Sequence, residues 1–391
     1  MTGASSGESL PVVVVGSGLA GYTLARELRK LDKQTPLVVV SRDHAGFYSK
    51  PMLSNALAGG KTTATLVMKA AETMATDLPA IVHAHRELRG IDTAERIVTF
   101  DDGSTLAYRD LVLALGADPI RLPLAGDGAQ DGVLSVNDLD DYARFAERLE
   151  GVKTVAILGG GLIGCEFAND LLARGVAPTV IDPAPGLLSR LLPREAGAFL
   201  QQRLEAAGVR FRFGVAATRV DRAGGGVVLT LDDGSTLGAD LVLSAIGLRS
   251  RTELARAAGL AVNRGIVVDR RLATSAAHVH AVGDCAEVEG HSLPFVLPIM
   301  QQARALAATL AGTPTGVVYP AMPVVVKTPA CPTVVCPPPP GASGQWQIEA
   351  AADALTARFV DGDGRLLGFA LLGGATAQRQ TLAAQVPGLL T

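Results

Sequence analysis

Gly16, Gly18 and Gly21 follow directly on the run "VVVV" from Val12 to Val15, and Gly159, Gly161 and Gly164 follow in the same way on "VAIL" from Val155 to Leu158. Both sets have G-x-G-x-x-G spacing, with Leu19 and Ala20 between the last two glycines of the first set. In such a loop the first glycine allows a tight turn, the second lets a pyrophosphate approach the backbone, and the third lets a helix pack closely on the preceding strand. The phosphate then sits over the helix N-terminus, whose free amides and dipole favour negative charge. Each set stands between an apolar run and residues at helical spacing (Leu24, Ala25 and Leu28; Phe167, Ala168 and Leu171), the context that gives the spacing its meaning. Two dinucleotides are the implied ligands.

Two carboxylates extend this reading. Asp182 ends the strand "PTVID" about 20 residues beyond the second loop, where an acid hydrogen-bonds the adenosine ribose of NAD and repels the extra phosphate of NADP. NADH is thereby favoured over NADPH. The matching strand of the first unit, "PLVVVS", runs into Ser41, Arg42 and Asp43, so its acid is shifted or absent. Asp284 in "AVGDCAEV" follows a buried strand, a place from which a carboxylate can bind the polyol hydroxyls of a flavin side chain.

The elements that must hold these residues form a repeated α/β pattern. "TFDDGSTLAYRDLVLALGA" (Thr99 to Ala117) matches "TLDDGSTLGADLVLSAIGL" (Thr230 to Leu248), each with an Asp-Gly turn between alternating apolar segments, then a buried strand expected to end at Gly116 or Gly247. Two units in the same order imply an internal duplication. The second unit begins inside the first, which the strands between Arg264 and Val288 are expected to complete. From Thr313 the composition shifts to prolines, valines and short strand-like runs, the mark of a third, mainly β domain in which "CPPPPG" is a loop. The expected division is a discontinuous FAD-binding domain (1–116 and 245–312), an NADH-binding domain (117–244) and a smaller C-terminal α+β domain (313–391).

Composition removes other classes. The net charge of −3 gives no global field toward nucleic acid or an anionic membrane. No apolar run approaches the roughly 18 residues of a membrane span, and the N-terminal "MTGASSGESL" has no secretory pattern. Cys165, Cys285, Cys331 and Cys336 are too few and scattered for a disulfide framework, which fits a reducing cytoplasm. Disulfide reductases need a reactive pair early in the first unit, and no cysteine precedes Cys165. His83/His85 and His278/His280 are spaced to share strand faces but gather no further ligands, so no metal is expected.

The glycine loops, "LVLALGA", "LVLSAIGL" and "HAVGDCAEV" resemble the flavoprotein reductases with two dinucleotide-binding domains, the FAD-dependent pyridine nucleotide-disulfide oxidoreductase superfamily. Within it, "FYSKPMLSNALAGG", "GLIGCEFANDL" and "VKTPACPTVVCPPP" resemble the rubredoxin reductase branch, which lacks the redox-active disulfide. The resemblance implies FAD on Gly16, Gly18, Gly21 and Asp284, with Lys50, Pro51 and Lys327 beside the flavin ring. It implies NADH on Gly159, Gly161, Ile163 and Gly164, with Glu166 near the nicotinamide and Gly247 lining its path. Lys50 and Glu166 are the implied catalytic residues, a cation at Lys50 favouring negative charge on the ring. The implied activity is hydride transfer from NADH and release of single electrons to rubredoxin, in an alkane hydroxylation chain, by a monomer or weak dimer. An acidic rubredoxin would meet a local basic rim including Arg42, Lys50 or Lys61. Two alternatives stay open: a ferredoxin or flavorubredoxin reductase, and a redox-sensing NADH-binding flavoprotein with little turnover.

Overall fold

A computed structural model describes residues 9–391. The run Val12–Val15 is buried at every position, as a parallel strand covered on both faces must be. It is the centre of an all-parallel sheet ordered Val279–Ala281, Asp110–Leu113, Val12–Val15, Leu37–Val40, Ile81–His83. The outer strand Val279–Ala281 returns from far along the chain to pair with Asp110–Leu113. A second all-parallel sheet has the same plan, ordered Val133–Leu134, Leu241–Ser244, Thr154–Leu158, Ala177–Asp182, Arg210–Phe213. Each central strand runs through its glycine loop into a helix, Leu19–Leu31 or Leu162–Leu172. Both loops therefore lie at the C-terminal edge of a sheet, where neighbouring strands lead off in opposite directions and leave a crevice.

The two Asp-Gly segments fold as antiparallel ribbons. Ile97–Phe100 pairs with Thr105–Ala107, and Gly226–Leu231 pairs with Thr236–Ala239. Gly103 and Gly234 take positive φ (78° and 82°) in the connecting turns, a conformation that a Cβ penalises. The chain crosses between the two parallel sheets through a small ribbon in which Ala117–Pro119 pairs antiparallel with Leu248–Ser250.

The third part is a five-stranded antiparallel sheet ordered Val324–Val326, Thr333–Cys336, Leu366–Gly373, Ala354–Val360, Gln345–Ala350. Pro337 to Gly341 form the loop between its second and third strands in chain order. One face of this sheet (Val326, Val335, Leu355, Leu372) joins the core that holds Cys165, Phe167 and Ala168 of the helix Leu162–Leu172. That helix is thus packed between its own sheet and the C-terminal one.

Local conformation corrects two readings. The buried strands stop at Leu113 and Ser244, short of Gly116 and Gly247, which lie in irregular segments with φ of 72° and 120°. Neither histidine pair shares a strand face: His85 and His278 take φ of 53° and 61°, outside the strands that contain His83 and His280. Spacing of two places side chains on one face only while the backbone stays extended.

Candidate active site

The two glycine loops share one plan of construction. Gly16 turns with φ of 120°, and a Cβ there would stand 2.2 Å from the Ala114 carbonyl oxygen; Gly159 has φ of 106°, and a Cβ would lie 2.7 Å from that of Ala245. A Cβ at Gly21 or Gly164 would fall 1.9 Å from the carbonyl oxygen of the first glycine in its own loop. These four glycines are required by the protein's own packing. Gly18 and Gly161 differ: a Cβ on either meets nothing within 4 Å. Each is the N-cap of its helix, and neither helix has a side-chain cap. Bare backbone with unpaired amides faces open space at both positions, which suits a phosphate.

That space is one cleft of 2340 Å³ lined by both loops. Lys50, Pro51, Glu166, Asp284, Lys327 and Gly247 also line it, as do Ile163 and Asp182 near the second loop. Lys50 and Pro51 open a short 3-10 helix, Lys50–Asn55. Burial pushes the Lys50 ammonium below its ordinary pKa; Asp284 opposes this and Arg251 reinforces it. Burial pushes the Asp284 carboxyl up, against the pull of Lys50 and Arg251. The two groups thus stand within electrostatic reach across the cleft.

Glu166 is only 2% exposed and is held from three directions. Its Oε2 accepts from Ser54 Oγ at 2.5 Å and is ion-paired with Lys327 Nζ, and its Oε1 accepts from the Lys327 backbone amide at 2.9 Å. Lys327 is the cation that neutralises it. Four residues further on, Asp170 is fully buried and accepts from the amides of Leu57 (3.0 Å) and Ala58 (2.8 Å). Burial raises its pKa to about 6.

Asp182 closes its strand onto the second loop: Oδ2 accepts from Gly160 N at 2.5 Å and Oδ1 from Ala184 N at 2.7 Å. The first unit does the same work with a displaced acid. Asp43 Oδ1 accepts from Ser41 Oγ at 2.6 Å, from Ala45 N at 2.9 Å and from Ser17 Oγ at 3.3 Å, tying the strand end to the first loop through hydroxyls. Arg251 is a further residue that motif reasoning missed. It donates from Nε to Asp118 at 2.8 Å and from Nη1 to the Leu115 carbonyl at 2.7 Å, pinning the crossing ribbon at the cleft wall. Gln302 is another, its Oε1 receiving the Gly283 amide at 2.6 Å beside Asp284.

All four cysteines are buried free thiols, and burial raises the pKa of each, to about 11 for Cys285 and Cys336. Their thiolates are disfavoured, which removes the nucleophile that dithiol exchange requires. Among the described residues no group of three or more His, Cys, Asp or Glu side chains could hold a metal ion, and no helix is long and apolar enough to cross a membrane.

Residues 10–308 match the family model described as pyridine nucleotide-disulphide oxidoreductase. The chain belongs to that family. Residues 316–386 match a second family, the rubredoxin binding C-terminal domain, which coincides with the five-stranded antiparallel sheet. The rubredoxin-NAD(+) reductase of Alcanivorax borkumensis is 49% identical, the alignment covering 97% of this chain and 99% of that protein. The protein of the same description from Acinetobacter baylyi is 46% identical, over 97% and 98%. Among solved structures, the ferredoxin reductase for the CYP199A2 system of Rhodopseudomonas palustris superposes with a TM-score of 0.88 at 27% identity, covering 97% of this chain and 96% of that one. Despite the family's description, no cysteine is among the described residues that line the cleft.

Proposed function

We propose that this chain is an FAD-dependent reductase that takes hydride from NADH and passes single electrons to rubredoxin. The observation that carries the reading is that two glycine loops built on one plan open into one cleft, whose wall includes Lys327 of the rubredoxin-binding region. FAD would be held by Gly16, Gly18, Leu19, Ala20, Gly21 and Asp284, with Lys50, Pro51 and Lys327 beside its ring. NADH would be held by Gly159, Gly161, Ile163, Gly164 and Asp182, with Glu166 and Gly247 along the nicotinamide path. When bound, FAD supplies a centre that accepts two electrons together and releases them one at a time.

The chain's own residues bind and orient the two nucleotides. Bare amides beyond Gly18 and Gly161 meet pyrophosphates. Asp182, its carboxylate fixed by Gly160 and Ala184, stands at the end of its strand where a ribose diol is received and a 2′-phosphate repelled. The neutralised Glu166–Lys327 pair gives the cleft a preorganised wall, and Lys50, disfavoured as a cation by burial, gains from any negative charge brought near it. The edge strand Val324–Val326, with Val325 exposed and Val326 buried, leads directly into Lys327, so an acceptor on the C-terminal domain would dock beside this pair. Of the expected basic rim, Arg42 and Lys61 are exposed, while Lys50 is half-buried in the cleft and unsuited to surface docking.

We also propose the domain division 1–116 with 245–312, 117–244, and 313–391, supported by the pairing of Val279–Ala281 into the first sheet. Action in the cytoplasm as a monomer or weak dimer, feeding an alkane hydroxylation chain, completes the proposal. Anaerobic mixing of the FAD-loaded protein with NADH or NADPH tests the first half: NADH bleaches the flavin absorbance rapidly and NADPH slowly. Equal rates, or no bleaching by NADH, would remove it.

A further inference from the structure

The helix Leu162–Leu172 carries a buried polar stripe that the function above does not use in full. Glu166, Asn169 and Asp170 are three and four positions apart, so they share one helix face, and they are 2%, 9% and 0% exposed. Buried polar groups must find partners, and all of these partners come from other parts of the chain. Asn169 Oδ1 accepts from the Ala330 amide at 3.0 Å, just past Lys327. Asp170 accepts from the amides of Leu57 and Ala58, just past the 3-10 helix that carries Lys50, Pro51 and Ser54. Asn55 Nδ2 donates to the Lys327 carbonyl at 3.2 Å and closes the circuit between the two outside segments. The helix that starts at the second glycine loop therefore grips the Lys50–Ala58 segment on one side and the 327–330 segment on the other.

Asp170 is the costly member of this set. A fully buried carboxylate with two amide donors and no paired cation among the described residues is destabilising to keep, so an apolar residue would serve packing better. Two amides on one carboxylate fix a segment in both distance and rotation, which an apolar contact does not. We infer that Asp170 is a positioning residue for hydride transfer, its carboxylate fixing the Lys50–Ala58 segment against the helix of the NADH loop. This rests on the proposed placement of FAD and NADH. The charged and titratable groups facing Asp170 are Glu166 on its own helix, Lys327 from the C-terminal sheet, and Tyr142 of the helix Leu139–Arg148. Burial is the main cause of its raised pKa, Glu166 adds to it, and Lys327 and the two amides oppose it. Protonation puts a hydrogen where one amide donates, so the grip loosens as pH falls through about 6.

The test is Asp170→Asn in the FAD-loaded protein, beside wild type. The variant keeps the shape, removes the buried charge and leaves one amide facing an NH2 group. Hydrogen exchange in the Lys50–Ala58 peptide accelerates, with or without FAD. Flavin bleaching by saturating NADH slows about tenfold at pH 7.5, the scale expected of a sub-ångström misplacement. The melting temperature stays at or above wild type at that pH, because an unpaired buried charge is gone, and a merely structural role predicts a fall instead. Wild-type bleaching slows as pH drops through about 6, and the variant shows no such inflection. Wild-type bleaching and exchange rates in the variant, or the same pH profile in both, would overturn the inference. If the variant does not fold, Asp170→Ser is read by the same exchange and bleaching measurements, and wild-type rates in it overturn the inference. Failure of wild type itself to bleach with NADH falls on the functional reading instead.

Discussion

Gly161→Ser should weaken NADH binding without weakening the fold. The position has φ of −79°, ordinary for any residue, and a Cβ there meets no protein atom within 4 Å. It is also an N-cap without a side-chain cap, where serine is preferred to glycine by a few tenths of a kcal/mol, roughly 0.3. The melting temperature should hold or rise slightly. The new hydroxyl, however, stands in the space left for the pyrophosphate and takes a helix amide that the phosphate would use. Loss of one charge-assisted hydrogen bond costs about 1.5–3 kcal/mol, a roughly ten- to hundredfold rise in KM for NADH. Gly164→Ala is the contrast: its Cβ would lie 1.9 Å from the Gly159 carbonyl oxygen, so the backbone must move and the melting temperature must fall. Steady-state reduction of rubredoxin at varied NADH, with calorimetric melting and FAD content for each variant, separates the two. An unchanged KM in Gly161→Ser, at full FAD content, would show that the open space is not the pyrophosphate path.

Asp182→Ala should lower the preference for NADH over NADPH about tenfold or more, read as the ratio of the two kcat/KM values, since it removes the repelling charge and frees the Gly160 and Ala184 amides. Glu166→Gln should leave Lys327 with an uncompensated charge in the cleft, lowering both the melting temperature and kcat, the latter by about tenfold. Asp110 is disfavoured by burial, but His280, Arg109 and His278 more than offset this and hold its carboxyl well below the usual range. Its contribution is present above the unfolded carboxylate pKa of about 4 and lost as pH falls through the lower folded value. Asp110→Asn should therefore melt lower at pH 7 and show a shallower loss of stability between pH 5 and pH 3 than wild type.

Both glycine loops were legible because their constraints are local: spacing of two and five residues sets a turn, an open backbone and a helix contact in consecutive positions. Asp182 was legible for the same reason, lying at a fixed strand end. The first unit's acid was not, because Asp43 reaches its loop through the Ser41 and Ser17 hydroxyls and so escapes the usual offset. The contact between Glu166 and Lys327 spans 161 positions; resemblance named each residue separately, and nothing in the sequence paired them. Asn169 and Asp170 left no side-chain signal at all, since their partners are backbone amides that any residue supplies. The histidine pairs failed on backbone conformation: positive φ at His85 and His278 takes each out of its strand, and nothing in their residue types announces it.

The central claim is that electrons pass from NADH through this cleft to rubredoxin. It is tested most directly by mixing the FAD-loaded protein with NADH and oxidised rubredoxin, and following loss of the iron chromophore, with a ferredoxin and a small disulfide as parallel acceptors. Rapid NADH-dependent bleaching of rubredoxin, weakened by salt and far faster than reduction of either rival, is the predicted result. Preferential reduction of ferredoxin, or slow turnover with all three, would contradict it.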